Sequence, residues 1–308
     1  MTLSLLVPGG HGQLGRELAA RATRLSSVHA PGSAELDITN AGAVVEAVKT
    51  LAESAAAQGH SPLVLNAAAY NAVDDAEADA TRAFAVNGDG PRLLAAACSS
   101  HNVPLVHLST DYVFAGDGDR PYATTDPVRP RSAYGVTKVA GEEAVLGSGA
   151  RAWVVRTAWV YGAYGNNFVK TMARLSATRD TLSVVDDQRG CPTWTGDLAA
   201  GLLELAERIV GPDAPAEQLL HCTGAGDTTW YEFAGAIFEE LGLDPARVRP
   251  SKSAEFPRPA PRPSYSVLSD QAWREVGLTP LRPWRQALSA AFAVHGEYFR
   301  EAVVAAQR

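Results

Sequence analysis

Short apolar runs alternate with longer amphipathic stretches through the first half of this chain. Residues 3–7, 63–65, 104–108 and 152–156 read as strands, since brief apolar runs bounded by turn residues suit buried sheet positions. Between them, residues 12–24, 40–58, 77–85, 90–101 and 134–147 read as helices. That alternation predicts an α/β fold, a Rossmann-type doubly wound parallel sheet with helices on both faces. After Arg156 the pattern loosens at Gly162, Gly165, Gly190, Pro192 and Gly211–Pro215. The proline-rich stretch 257–263 reads as ordered extended chain rather than helix.

Ligands of such sheets bind beyond the carboxyl ends of the strands. Three candidate loops fall there: Gly9–Gly15, Asn66–Ala69 and Ser109–Asp111. Gly9, Gly12 and Gly15 follow a strand and open a helix, the context in which glycine spacing has meaning. Such glycines permit a tight turn and let a pyrophosphate approach bare backbone at the positive end of the helix. A glycine-rich turn without a ligand is the bland alternative. The expected division is a dinucleotide-binding domain over 1–158, with segments near 180–205 and 262–272 returning to it. Residues 159–308 would form mainly a smaller carboxy-terminal substrate-binding lobe.

Tyr134 and Lys138 stand at i and i+4, on one helical face. A free tyrosine titrates near ~10, so alone it is a poor acid at neutral pH. A neighbouring ammonium favours the phenolate, which makes the pair a tunable proton donor for a carbonyl receiving a hydride.

Composition changes little in this picture. With 308 residues and 46% hydrophobic content the chain can bury a large core. A net charge of -7 argues against a nucleic-acid surface, and no apolar run has the length of a membrane span. The first apolar stretch lacks a basic leader, so a cytoplasmic location is expected. Cys98, Cys191 and Cys222 are scattered, with no metal-ligand spacing and no disulfide framework. The acidic cluster Asp74, Asp75, Glu77 and Asp79 reads as a solvated helix start. His101, His107 and His221 read as structural, and His11 as an exposed loop residue.

These motifs, with Arg156–Gly162, Asn166–Met172, Asp187–Thr193 and Trp230–Ala234, resemble an extended short-chain dehydrogenase/reductase over nearly the whole chain. More narrowly, the chain resembles the dTDP-4-dehydrorhamnose reductase family. The resemblance implies that Tyr134 protonates the C4 oxygen of a keto-sugar, Lys138 holds the nicotinamide ribose, and Thr110 bonds the reacting oxygen. It implies cofactor contacts at Gly9, Gly12, Gln13, Leu14, Gly15, Asp37, Ile38, Ala67, Ala68, Ala69 and Leu108, besides Tyr134 and Lys138. Substrate contacts are expected from Thr110, Asp111, Trp159, Asn167 and Arg262, the last toward the diphosphate. Trp159 has a core-packing alternative.

Two departures from the family pattern stand out. The stretch Val28–Ser33, where the second strand ends, shows neither the carboxylate of an NAD site nor a clear basic residue for NADP. Coenzyme choice stays open, with NADPH the family default and NADH the alternative. Some members form a magnesium-bridged dimer, and here only Glu17 matches its acidic positions, so no metal and a monomer or weak homodimer are expected. The partner implied is a small nucleotide sugar. Alternatives are an antibiotic-pathway ketoreductase of the dihydrostreptose type, an epimerase, and a non-catalytic NADP-binding regulatory subunit. Tyr112, where related dehydratases carry Glu, speaks against elimination.

Overall fold

Successive side chains of each strand go to opposite faces of one sheet, and both faces are covered. The computed structural model describes residues 2–22 and 26–306. Strands β1 (Leu3–Leu6), β2 (Ser26–His29), β3 (Ser61–Asn66), β4 (Leu105–Thr110), β5 (Ala152–Thr157) and β6 (Leu219–His221) pair in the order β6-β5-β4-β3-β1-β2. All pairings are parallel, with Leu5 opposite both Val28 and Leu63, and Leu65 opposite Val106.

Leu5, Leu63, Leu65, Val106 and Val155 face helices α1 (Gln13–Ala22) and α6 (Thr195–Val210) through Leu18, Leu198, Leu202 and Leu205. Leu6, Val64, Leu105 and Val154 face α2 (Ala41–Gln58), α3 (Gly90–Ser100) and α4 (Ala133–Leu146) through Val44, Val48, Leu94 and Val145. This is the doubly wound arrangement, and its topological switch falls at β1, with β2 on one side and β3 on the other.

A second core lies outside the sheet. Helices α5 (Phe168–Ser176), α7 (Trp230–Glu240) and α8 (Trp284–Ala306) pack Val169, Phe233, Ile237, Leu288 and Phe292 together. Leu182–Val185 pairs with Val248–Ser251 at the side of this core. The sheet's last strand and α6 lie later in sequence than α5, so the chain leaves the sheet and comes back.

One predicted helix is reshaped. In place of a helix over 77–85 there are short helices at Asp75–Ala78 and Ala80–Phe84, then a π-helical turn at Ala85–Asp89 that runs into α3. Pro91 has no N–H and would press its ring on the Asn87 carbonyl in a regular helix, so the wider turn relieves that clash. No helix among the described residues is long and apolar enough to cross a membrane.

Candidate active site

The loop after β1 is pressed against the loop after β3. Ala67 N–H donates to Pro8 O at 3.0 Å, and a Cβ on Gly9 (φ 80°) would stand 2.6 Å from Ala68 N. Only glycine fits there, and the contact gathers Gly9, Gly12 and Gly15 beside Ala67, Ala68 and Ala69 at one sheet edge. Helix α1 begins at Gln13, so its unpaired N–H groups open onto this cleft of glycines and alanines. The cleft suits the pyrophosphate of a dinucleotide.

The other expected coenzyme positions divide. Gln13 Oε1 accepts from Asn167 Nδ2, whereas Leu14 packs on the first core and Ile38 is buried among core residues. Asp37 is exposed, and its Oδ1 accepts from both Thr39 N–H and Oγ1–H, which holds the carboxyl below its ordinary range. A carboxylate stands in the turn that follows β2. Glu35 Oε2 accepts from Gly32 N at 2.7 Å and lies 3.4 Å from His11 Nε2. The sequence pattern at 28–33 hid it, because the group arrives from a turn just past that stretch.

Helix α4 presents Tyr134, Lys138 and Glu142 as one buried stripe, each four residues from the next. Ser132 Oγ accepts from Gly135 N at 3.1 Å, and Glu77 Oε1 accepts from Ala133 N at 2.8 Å, so both side chains fix the helix start. A Cβ on Gly135 would stand 2.4 Å from Tyr112 O, and its absence lets α4 rest on the end of β4. There the Thr110 side chain stands beside the Tyr134 phenol and favours its charged form. Thr110 Oγ1 also donates to Asp111 Oδ1 at 2.9 Å. Tyr112 meets Tyr134 edge-on, with ring centroids 5.6 Å apart.

Burial raises the Tyr134 phenol well above its ordinary pKa, and the Thr110 side chain opposes this. Burial lowers the Lys138 ammonium to about 8, opposed by the nearby Glu142 charge. Lys138 Nζ donates to Leu108 O at 2.7 Å and lies 3.5 Å from His107 Nε2. Support for the phenolate thus comes from Thr110, while Lys138 is directed to the β4 backbone. Asp111 is lifted to about 6 by burial, with bonds from Ser266 and Thr110 opposing.

On the substrate side, Trp159 follows β5 with φ 47°, a left-handed conformation that costs a bulky residue about 1–3 kcal/mol. Its half-buried indole stacks on Trp230, centroids 3.5 Å apart and planes 6° from parallel, so it is no ordinary core residue. Asn167 caps α5 by accepting from Lys170 N at 3.1 Å. Arg262, the expected diphosphate contact, donates from Nη2 to Asp74 Oδ2 at 2.8 Å, and its buried Nη1 has no hydrogen-bond partner among the described residues. Asp74 Oδ1 also accepts from Ala260 N at 3.2 Å, so this acidic residue anchors the proline-rich strap. Asp74 and Glu77 are thus structural partners of the site, not merely a solvated helix start.

His107 and Trp230 were not singled out from sequence as parts of the site. His107 carried a signal: it is the one titratable residue inside β4, on the face that α4 covers. Trp230 carried none, since its partner is 71 positions away. Among the described residues no cluster of His, Cys, Asp or Glu forms a metal site, and Glu17 is paired with Arg21 at 2.7 Å.

Comparison with known proteins adds four likenesses. The family model for the RmlD substrate binding domain matches residues 3–296. The chain is 50% identical to a dTDP-4-dehydrorhamnose reductase of Streptomyces griseus, covering 93% of this chain and 92% of that one. It is 49% identical to a Streptomyces antibioticus protein named "Probable dTDP-4,6-dihydroxy-2-methyloxan-3-one 4-ketoreductase", covering 93% and 94%. Among solved structures, dTDP-4-dehydrorhamnose reductase from Bacillus anthracis in complex with NADP aligns with a TM-score of 0.88 at 33% identity, covering 96% of this chain and 100% of that one.

Proposed function

Because the chain belongs to the RmlD substrate-binding-domain family of dTDP-4-dehydrorhamnose reductases, we propose that it reduces the C4 ketone of a dTDP-4-dehydro-6-deoxy sugar. The substrate proposed is dTDP-4-dehydro-β-L-rhamnose, the product dTDP-β-L-rhamnose, and the coenzyme NADPH, with NADH as a second donor. One convergence carries this reading. The Tyr134 phenol, the Thr110 hydroxyl and the Lys138 ammonium meet at the carboxyl end of β4, the same sheet edge as the glycine cradle.

Gly9, Gly12, Gly15 and Ala67–Ala69 hold the pyrophosphate and adenosine side of the coenzyme, and Lys138 its nicotinamide ribose. Bound there, a reduced nicotinamide supplies the hydride. Tyr134 gives its proton to the C4 oxygen, and the remaining phenolate is stabilised by Thr110 and by the Lys138 charge. Thr110 has a single hydroxyl proton, given to Asp111 while the phenol is neutral and available to the phenolate once it forms. Trp159 offers a flat apolar face to the sugar.

The near-equal identity to the Streptomyces antibioticus ketoreductase supports a second reading, reduction of a related deoxysugar. A coupled assay separates them. dTDP-4-dehydro-L-rhamnose, generated in situ, is supplied with NADPH or NADH and the product sugar is identified. Coenzyme oxidation yielding dTDP-L-rhamnose is expected; none with this substrate, but turnover of dTDP-4-keto-6-deoxy-D-glucose, would favour the second reading.

A further inference from the structure

His107 is fully buried in β4, and the reaction as described makes no use of it. Its surroundings fix its proton. Ala68 N–H donates to Asn66 Oδ1 at 3.1 Å, so the amide of Asn66 turns its nitrogen toward the imidazole. Asn66 Nδ2 then donates to His107 Nδ1 at 3.0 Å. A neutral imidazole has one N–H, and with Nδ1 accepting, that proton sits on Nε2. Burial and the Lys138 charge keep the imidazole neutral, its pKa well below the ordinary value. Nε2–H therefore points at Lys138 Nζ, 3.5 Å away. An ammonium meets a donor on that side where it needs an acceptor, whereas an amine lone pair can receive the N–H.

We propose that His107 is a positioning residue, whose Nε2–H disfavours the ammonium form of Lys138 and turns its N–H groups toward Leu108 O and the coenzyme. Asn66 ties this setting to the cofactor loop, because the same amide that holds the imidazole holds Ala68 N–H. The other titratable groups about the pair are Tyr134 and Glu142 of α4, Arg156 of β5 and Asp111 past β4. Glu142 favours the ammonium but is engaged by Arg156 through two bonds of 2.6 and 2.8 Å. His107 opposes it from the sheet side.

The proposal rests on Lys138 holding the coenzyme, and its tests need no turnover. Selective ¹⁵N-histidine labelling reads the tautomer directly. The expected result is a proton on Nε2 of His107 that does not titrate between about pH 5 and 9; a proton on Nδ1 overturns the proposal whatever the protein reduces. The second test follows NADPH affinity across pH, which in the wild type should break near the Lys138 value of about 8. His107→Phe keeps a buried ring without Nε2–H and should move that break upward by about one pH unit. His107→Gln, with its carbonyl toward Asn66 and its amide N–H toward Lys138, should return the break toward wild type. An unmoved break in a folded His107→Phe overturns the proposal. If that variant does not fold, a His107→Gln break displaced by a full unit, or the tautomer signal, decides it.

Discussion

Asn167 Nδ2 donates to Gln13 Oε1 at 3.0 Å, so the residue that caps α5 is also a partner of the first residue of α1, just past the glycine loop. Gln13 answers with a bond from Nε2 to Asn166 O at 3.2 Å. Asn167→Ala removes cap and latch together and should cost about 1 kcal/mol in denaturant unfolding. Gln13→Ala should leave stability almost unchanged, and both variants should raise the coenzyme KM several-fold. Equal stability losses would show that the cap is not what Asn167 adds, and an unchanged KM in both would show that the latch does not bear on coenzyme binding.

Tyr134→Phe deletes one hydroxyl and keeps the buried ring. Turnover should fall by roughly 10²–10⁴-fold, the usual worth of a positioned acid. Fluorescence titration with NADPH should give an affinity close to wild type. Wild-type turnover would exclude Tyr134 as the proton donor.

Arg156 and Glu142 form a bidentate pair beneath the site, their side chains 3% and 5% exposed. Removing one partner strands a buried charge. Arg156→Met should therefore destabilise by about 3–5 kcal/mol, and adding Glu142→Met should recover a large part of that. Urea midpoints of the single and double variants check this; additive losses would contradict it.

Burial lifts the Asp111 carboxyl from an ordinary 3.8 to about 6. Between those values the folded chain holds a proton that the unfolded chain has released. The penalty from this group is therefore full above about pH 6 and fades as pH falls toward 4. Asp111→Asn should stabilise the protein at pH 8 by about 1–3 kcal/mol, a figure reduced by the amide nitrogen left without a partner. The difference from wild type should shrink below pH 4. A difference that stays constant across pH would assign the effect to packing.

The sheet and its ligand edge were legible because they follow from local pattern. Leu63 and Leu65 point one way and Val64 the other, and the glycine loop and the Tyr134–Lys138 spacing each fit within one turn of chain. What escaped depends on distant partners. Strand β6 is three residues long, too short to carry a period, and becomes a strand only by pairing with β5. The wide turn at 85–89 was hidden because Pro91 acts through a carbonyl four residues earlier. Glu35 turns back onto Gly32 and His11, Arg262 meets a carboxylate 188 positions back, and Trp159 meets Trp230 across 71 positions.

The late return of the chain to the sheet has a cost for anyone who would divide the protein. Every residue of Ala152–Thr157 is buried, and β6 supplies its outer hydrogen-bonding partner. A fragment ending before Leu219 would leave the Val154–Arg156 edge of that strand with unpaired N–H and C=O groups, prone to recruit another chain. Chimaeras exchanging the second core between relatives must therefore be cut at two or more junctions, leaving α6 and β6 with their native sheet.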